Sequence, residues 1–181
     1  DQGLGKAVDP WMTLVGYFNS IRELAGMRRL VDDDVKTRLR GIQEWGLGNR
    51  NLRMPEELTS RKTSDDIPKI LDRMEVGFDL EEDKRREEAR KQKKPYDKPY
   101  PYDVLLATNM VSVGVDVKRL GLMVVAGQPK ATAEYIQATS RVGRARPGLV
   151  CTVFNWARPR DMSHYETFEH YHSTFYKHVE A

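Results

Sequence analysis

The sequence predicts one α/β domain of three layers with a mainly parallel sheet, and three observations carry that prediction. Segments 103–108, 121–126 and 148–154 are apolar along almost their whole length rather than at alternate positions, as strands covered on both faces are. Stretches of helical character separate the strand candidates, so strand and helix alternate along the chain. The chain has 181 residues, 39% hydrophobic and 31% charged, enough for one core with a wet surface and too few for two ordinary domains. A single domain over 1–181 is expected, with a charged insertion at about 77–102 and an aromatic helix at about 160–179.

Each element has its own local cause. Trp11-Met12-Thr13-Leu14-Val15-Gly16-Tyr17 is a short β-type run, and Asn19-Ser20 supplies a helix N-cap before Ile21, Leu24, Leu30, Val31 and Leu39. Segment 54–60 is a weaker strand. In Ser64-Asp65-Asp66-Ile67-Pro68 a capping serine, two acids and an early proline start a helix that turns Ile67, Ile70, Leu71 and Met74 inward. Residues 80–94 are almost all charged, and the prolines of Lys94-Pro95-Tyr96-Asp97-Lys98-Pro99-Tyr100-Pro101 end any helix there. That segment reads as a mobile insertion or hinge, a solvated helix and loop first and a nucleic-acid contact through Lys91, Lys93 and Lys94 only second. After the strand at 103–108 and the strand at 121–126, a threonine-capped helix is expected over 132–142; the strand at 148–154 precedes a helix over 162–179.

Composition excludes several function classes. Lys and Arg exceed Asp and Glu by only three, with the acids gathered at 32–34, 56–66 and 79–88, so any basic surface is local. Cys151, the single cysteine, permits no intrachain disulfide, fits a reducing, cytoplasmic setting and is expected as a buried core thiol. No apolar run approaches the ~20 residues of a membrane span, and no secretion signal opens the chain. The opening at Asp1 reads as a cut from a longer polypeptide. The four histidines, His164, His170, His172 and His178, lack zinc-ligand spacing. Around them, Tyr165, Phe168, Tyr171, Phe175 and Tyr176 recur every three or four positions, a pattern of core or interlobe packing before base stacking. Gly3-Leu4-Gly5-Lys6 imitates a phosphate-binding loop, but Ala7 stands where Ser or Thr must hold magnesium.

The chemistry concentrates after two strands, since ligands of such sheets gather beyond the carboxyl ends of the strands. Thr108-Asn109-Met110-Val111-Ser112-Val113-Gly114-Val115-Asp116 sets hydroxyls, an amide, a glycine and a carboxylate on one loop. Further on comes Tyr135-Ile136-Gln137-Ala138-Thr139-Ser140-Arg141-Val142-Gly143-Arg144. If the helix continues through them, Arg141 and Arg144 emerge on one side of its end. Two guanidinium groups beside a glycine suit a polyanion, because each forks onto phosphate oxygens and keeps its charge. Asp116 is placed to accept from a ribose hydroxyl, and Thr108 and Ser112 to hold backbone phosphates.

These residues resemble two motifs of superfamily 2 helicases. Ala107-Thr108-Asn109 through Gly114-Val115-Asp116 resembles motif V, and Gln137 through Arg144 resembles motif VI, Q-x-x-G-R-x-G-R, with Ser140 where glycine is usual. Leu58-Thr59-Ser60-Arg61 more softly resembles the motif IVa region. The motif wording and the aromatic carboxyl-terminal run also resemble the large helicase of DISARM-type bacterial anti-phage systems.

The resemblance implies the second RecA-like (P-loop NTPase-type) lobe of an ATP-dependent helicase or translocase. It implies arginine fingers at Arg141 and Arg144; ATP contacts at Gln137, Gly114 and Asp116; and nucleic-acid contacts at Thr108, Asn109 and Ser112. ATP and Mg would be bound mainly by a missing first lobe of the same polypeptide, since no Gly-x-x-x-x-Gly-Lys-Ser/Thr loop or acidic metal box is present. Nucleic acid, DNA ahead of RNA, and other defence-system proteins are the implied partners, with no membrane, and the 181 residues alone are expected to be inactive. A non-catalytic nucleic-acid-binding or assembly module on the same fold is the alternative. A Rossmann-like nucleotide site would need a glycine-rich turn after the first strand, and Tyr17-Phe18-Asn19-Ser20 has none.

Overall fold

The computed structural model describes residues 5–48, 50–108 and 116–178. Five parallel strands form one sheet in the order β2-β3-β1-β4-β5: β1 Leu14–Phe18, β2 Glu56–Leu58, β3 Val104–Thr108, β4 Leu122–Ala126 and β5 Leu149–Val153. In the register, Phe18 lies beside both Thr108 and Ala126, so the carboxyl ends of the three central strands are level. The strands run where the apolar segments predict them.

Ser20 is the N-cap of α1 (Ile21–Leu30), its hydroxyl accepting the Glu23 N–H at 3.3 Å. The helix continues through a π-type turn, Val31–Val35, into α2 (Lys36–Arg40). Leu24 and Val31 are buried as expected, but Leu30 is 44% exposed. α3 (Asp66–Met74) buries Ile70 and Met74, with Ile67 and Leu71 packed beside them. Its start is held by the Thr63 hydroxyl, which accepts the Asp66 N–H, rather than by Ser64.

The charged stretch is α4 (Leu80–Lys91), capped by the Asp79 carboxylate on the N–H groups of Glu81 and Glu82. The proline-rich strand of chain after it is tied back rather than left as a loose hinge. Arg86 is buried, donating to the Pro99 carbonyl at 2.6 Å and lying over the Tyr100 ring, while Tyr96 and Lys98 both reach Glu82.

The larger core lies on one face of the sheet, where α3, α5 (Thr132–Thr139) and Val117 and Leu120 cover Val15, Tyr17, Leu105, Met123 and Val125. The opposite face carries a smaller core of Phe18, Leu24, Val31, Val104 and Leu106 under α1. Covering is incomplete over β4 and β5. Leu149 and Val153 are more than half exposed and Cys151 is exposed, which corrects the expectation of a buried thiol on a strand covered on both faces: β5 is the sheet edge, and α1 does not reach it.

The carboxyl-terminal helix expected as one piece is two, α6 (Pro159–Glu166) and α7 (Phe168–Thr174), broken at Thr167. Tyr171 joins the larger core, bearing out the packing reading for that aromatic, whereas Tyr165 and Tyr176 stay exposed. Among the described residues no group of three or more His, Cys, Asp or Glu side chains could hold a metal, and no helix is long and apolar enough to cross a membrane.

Candidate nucleotide and nucleic-acid site

The candidate residues fall at two edges of the sheet. α5 begins beyond the carboxyl end of β4 and runs back along the sheet, so its last turn lies at the amino edge, by Leu120 and Gly121. The helix stops at Thr139, and Ser140 caps it with φ −67°. That is ordinary right-handed backbone, which explains why serine serves where the motif usually has glycine. Arg141 and Val142 still donate to Ala138 and Thr139, but Gly143 turns left-handed at φ +79° and gives its N–H to the Leu120 carbonyl at 2.9 Å.

The helix therefore does not carry both arginines, as the spacing argument assumed. They sit in a turn whose shape comes from Gly143 and from its anchor on β4. Leu149 N–H donates to the Gly121 carbonyl at 2.7 Å, closing the 140–148 segment against the start of that strand. A Cβ at Gly148 would stand 2.8 Å from the Gly143 Cα, so two backbones meet there with no room for a side chain. The structural role of Gly148 was missed; its signal in the sequence is a second glycine five residues after the motif's own.

Arg144 is fixed within this turn by two contacts. Its Nε donates to the Ser140 carbonyl at 3.0 Å, and its Nη1 pairs with the Asp116 carboxylate. Their side chains are 33% and 62% exposed, so the pair is a solvent-screened one worth under about 1 kcal/mol and easily exchanged. Buried Val117 and Leu120 anchor the segment that carries Asp116. Arg141 is half-buried and Gln137 is exposed on α5. The structure thus brings Asp116 to Arg144, in the neighbourhood of Arg141 and Gln137.

Thr108 lies elsewhere. It ends β3 at the carboxyl edge, half-buried, and a strand of five residues separates that edge from the arginine turn by ~17 Å. Gathering of both motifs beyond the carboxyl ends is therefore not what the topology does: the α5 connection returns motif VI to the amino edge, and the chain between Thr108 and Asp116 links the two. Asn109, Ser112 and Gly114 lie outside the described residues. The motif IVa stretch follows β2 at the carboxyl edge, with Thr59 buried and Arg61 exposed.

A polar network that sequence reasoning did not find locks this carboxyl edge. The fully buried Asp161 accepts the Gln128 N–H at 3.1 Å and the Asn155 N–H at 2.9 Å, joining the ends of β4 and β5 to α6. The Asn19 amide donates to the Ala126 and Gly127 carbonyls at 3.1 and 3.2 Å, tying β1 to β4. Gln128, also buried, donates to the Tyr171 hydroxyl. Lys6 of the imitation phosphate loop pairs with Asp79 at 3.1 Å.

Residues 61–146 match the helicase conserved C-terminal domain family, a span that runs from the α3 region through both candidate motifs. The C-terminal part of the Fun30 ATPase domain shares the fold, with a TM-score of 0.56 at 8% identity over 86% of this chain and 39% of that one. The parallel sheet order and this likeness show an α/β fold of RecA-like type, and the span 61–146 is what the chain shares with helicase C-terminal domains. The chain is also similar to the DISARM protein DrmA of Bacillus paralicheniformis, 50% identical over 183 residues and along the whole of this chain. The chain spans 15% of that relative's length.

Proposed function

We propose that the chain is the second lobe of an ATP-driven superfamily 2 nucleic-acid motor acting in bacterial anti-phage defence. In this reading Arg141 and Arg144 present guanidinium groups to the polyphosphate of ATP held by a first lobe elsewhere in the polypeptide. The observation that carries it is the Asp116–Arg144 pair: a cation held on an exposed surface by a weak, exchangeable partner.

The residues fit half of a nucleotide site. Exposed guanidinium on a glycine turn suits phosphate oxygens, whereas the sequence has no P-loop and the described residues no metal cluster. ATP and Mg belong to the missing lobe, and ATP supplies the phosphoryl group whose developing charge the arginines would stabilise. Lobe closure would exchange Asp116 for phosphate at Arg144, freeing the Asp116 carboxylate to accept from the ribose. Gln137 and Gly114 would line the same cleft.

Because Asp116 lies eight residues along the chain from Thr108, that exchange would pull on the segment whose Thr108, Asn109 and Ser112 would hold a nucleic-acid backbone, DNA ahead of RNA. Coupling between nucleotide state and strand position then runs through one short connection. Other proteins of the same defence system are its expected partners.

Arg144→Ala in the full-length protein tests the assignment. Nucleic-acid-stimulated ATPase should fall by about 10³-fold, the scale of an arginine finger, with ATP binding nearly intact. Retention of most of the stimulated rate would contradict the finger role.

A further inference from the structure

The sheet has one face that the described residues leave open. Over β3 and β1 the smaller core is roofed by α1, but beyond it the side chains of β4 and β5 on that face have no roof. Leu149 and Val153 are 53% and 58% exposed, with Cys151 exposed between them. In register beside these three lie Leu122, Val124 and Ala126 of β4, each only half-buried.

Two hollows flank this surface. One of about 310 Å³ lies between Trp11, Met27 and Val124, and another of about 510 Å³ between Leu30, Val153 and Trp156. Trp156, at the end of β5, is 83% exposed. Apolar faces of parallel strands are covered in folded proteins, and a contiguous apolar area of this kind on a soluble domain marks a binding surface.

We infer that this face is the seat of one amphipathic helix of the same polypeptide, lying outside the 181 residues, beside α1 and along β4 and β5. Three observations choose that occupant. The relative that matches the chain end to end has several times its length, so polypeptide is available. The strip open between α1 and the β5 edge is two strands, β4 and β5, and at a strand spacing of about 4.8 Å its width of roughly 10 Å is one helix diameter. The side chains that β4 and β5 present on the strip are all apolar, with Asn155 and the mutually paired Glu23 and Arg158 at its rim. A nucleic acid would meet no unpaired cation there among these lining residues.

The single cysteine reports on the cover. In native full-length protein, alkylation of Cys151 by N-ethylmaleimide, followed by mass spectrometry of its peptide, should be at least about 100-fold slower than in denaturant, since a thiol under a packed helix reacts only on opening. That protection should be unchanged by dilution, by nucleic acid and by nucleotide. A photo-crosslinking residue at Val153 should join to another segment of the same polypeptide. Alkylation at the denatured rate would overturn the inference. So would protection that vanishes on dilution, meaning a second copy, or protection that depends on ATP analogue or single-stranded DNA, meaning a moving lobe or a bound strand. The outcome is independent of the arginine-finger assay.

Discussion

Gly143 does with one dihedral what the motif needs. Its left-handed turn ends the helical ladder and sends its N–H to Leu120, so that Arg144 leaves the helix and meets Asp116. Alanine at that position adds a Cβ 3.2 Å from the Gly148 nitrogen and costs about 1 kcal/mol for the left-handed backbone. Gly148→Ala has no flexible atom to push aside and should cost more. Both substitutions are expected to lower stability in urea titrations and to lower stimulated ATPase of the full-length protein beyond any loss of folded protein. Asp116→Asn should change stability by less than about 1 kcal/mol, as an exposed pair does, yet weaken the coupling of ATPase to nucleic acid. An unchanged dependence of rate on nucleic-acid concentration would argue against the coupling role.

At the scale of elements, the carboxyl-terminal helices are fixed by contacts their composition only partly announces. Asp161 in the first turn of α6 holds two strand ends, and His164 packs edge-on against Tyr171 with ring centroids 4.6 Å apart. Burial, and then the neighbouring Arg160, hold the His164 imidazole below its ordinary range. The folded state therefore binds that proton less readily than the unfolded chain. Its contribution is fully present above the unfolded value of about 6.5 and is lost as pH falls from there through the folded value. Urea midpoints should decline between about pH 7 and pH 5.5, and His164→Leu should flatten that decline. An identical slope in the variant would locate the sensitive group elsewhere.

For the whole molecule, the larger core joins elements far apart in sequence, with Met74, Leu105, Met123 and Ala138 almost fully buried together. Met74→Ala should cost about 2–5 kcal/mol, read as a lowered unfolding midpoint. The two edges of the sheet divide the proposed labour, arginines at one and nucleic-acid contacts at the other, and in that proposal both act together with a first lobe. The 181-residue chain alone should show no ATPase, and measurable turnover would mean that it holds a complete triphosphate site.

Strand positions, the cap at Ser20 and the inward residues of α3 were legible in the sequence, because each depends on near neighbours: apolar runs, a hydroxyl before a helix, a period of 3.6. The two motifs were legible as wording for the same reason. Where they lie was not. The return of α5 to the amino edge, the meeting of Asp116 with Arg144, the tethering of the proline-rich segment by Arg86 and the exposure of Cys151 all follow from strand order and from what covers each face. Residue identity sets which groups can bond; only the packing of distant segments decides which of them meet and which strand becomes the edge.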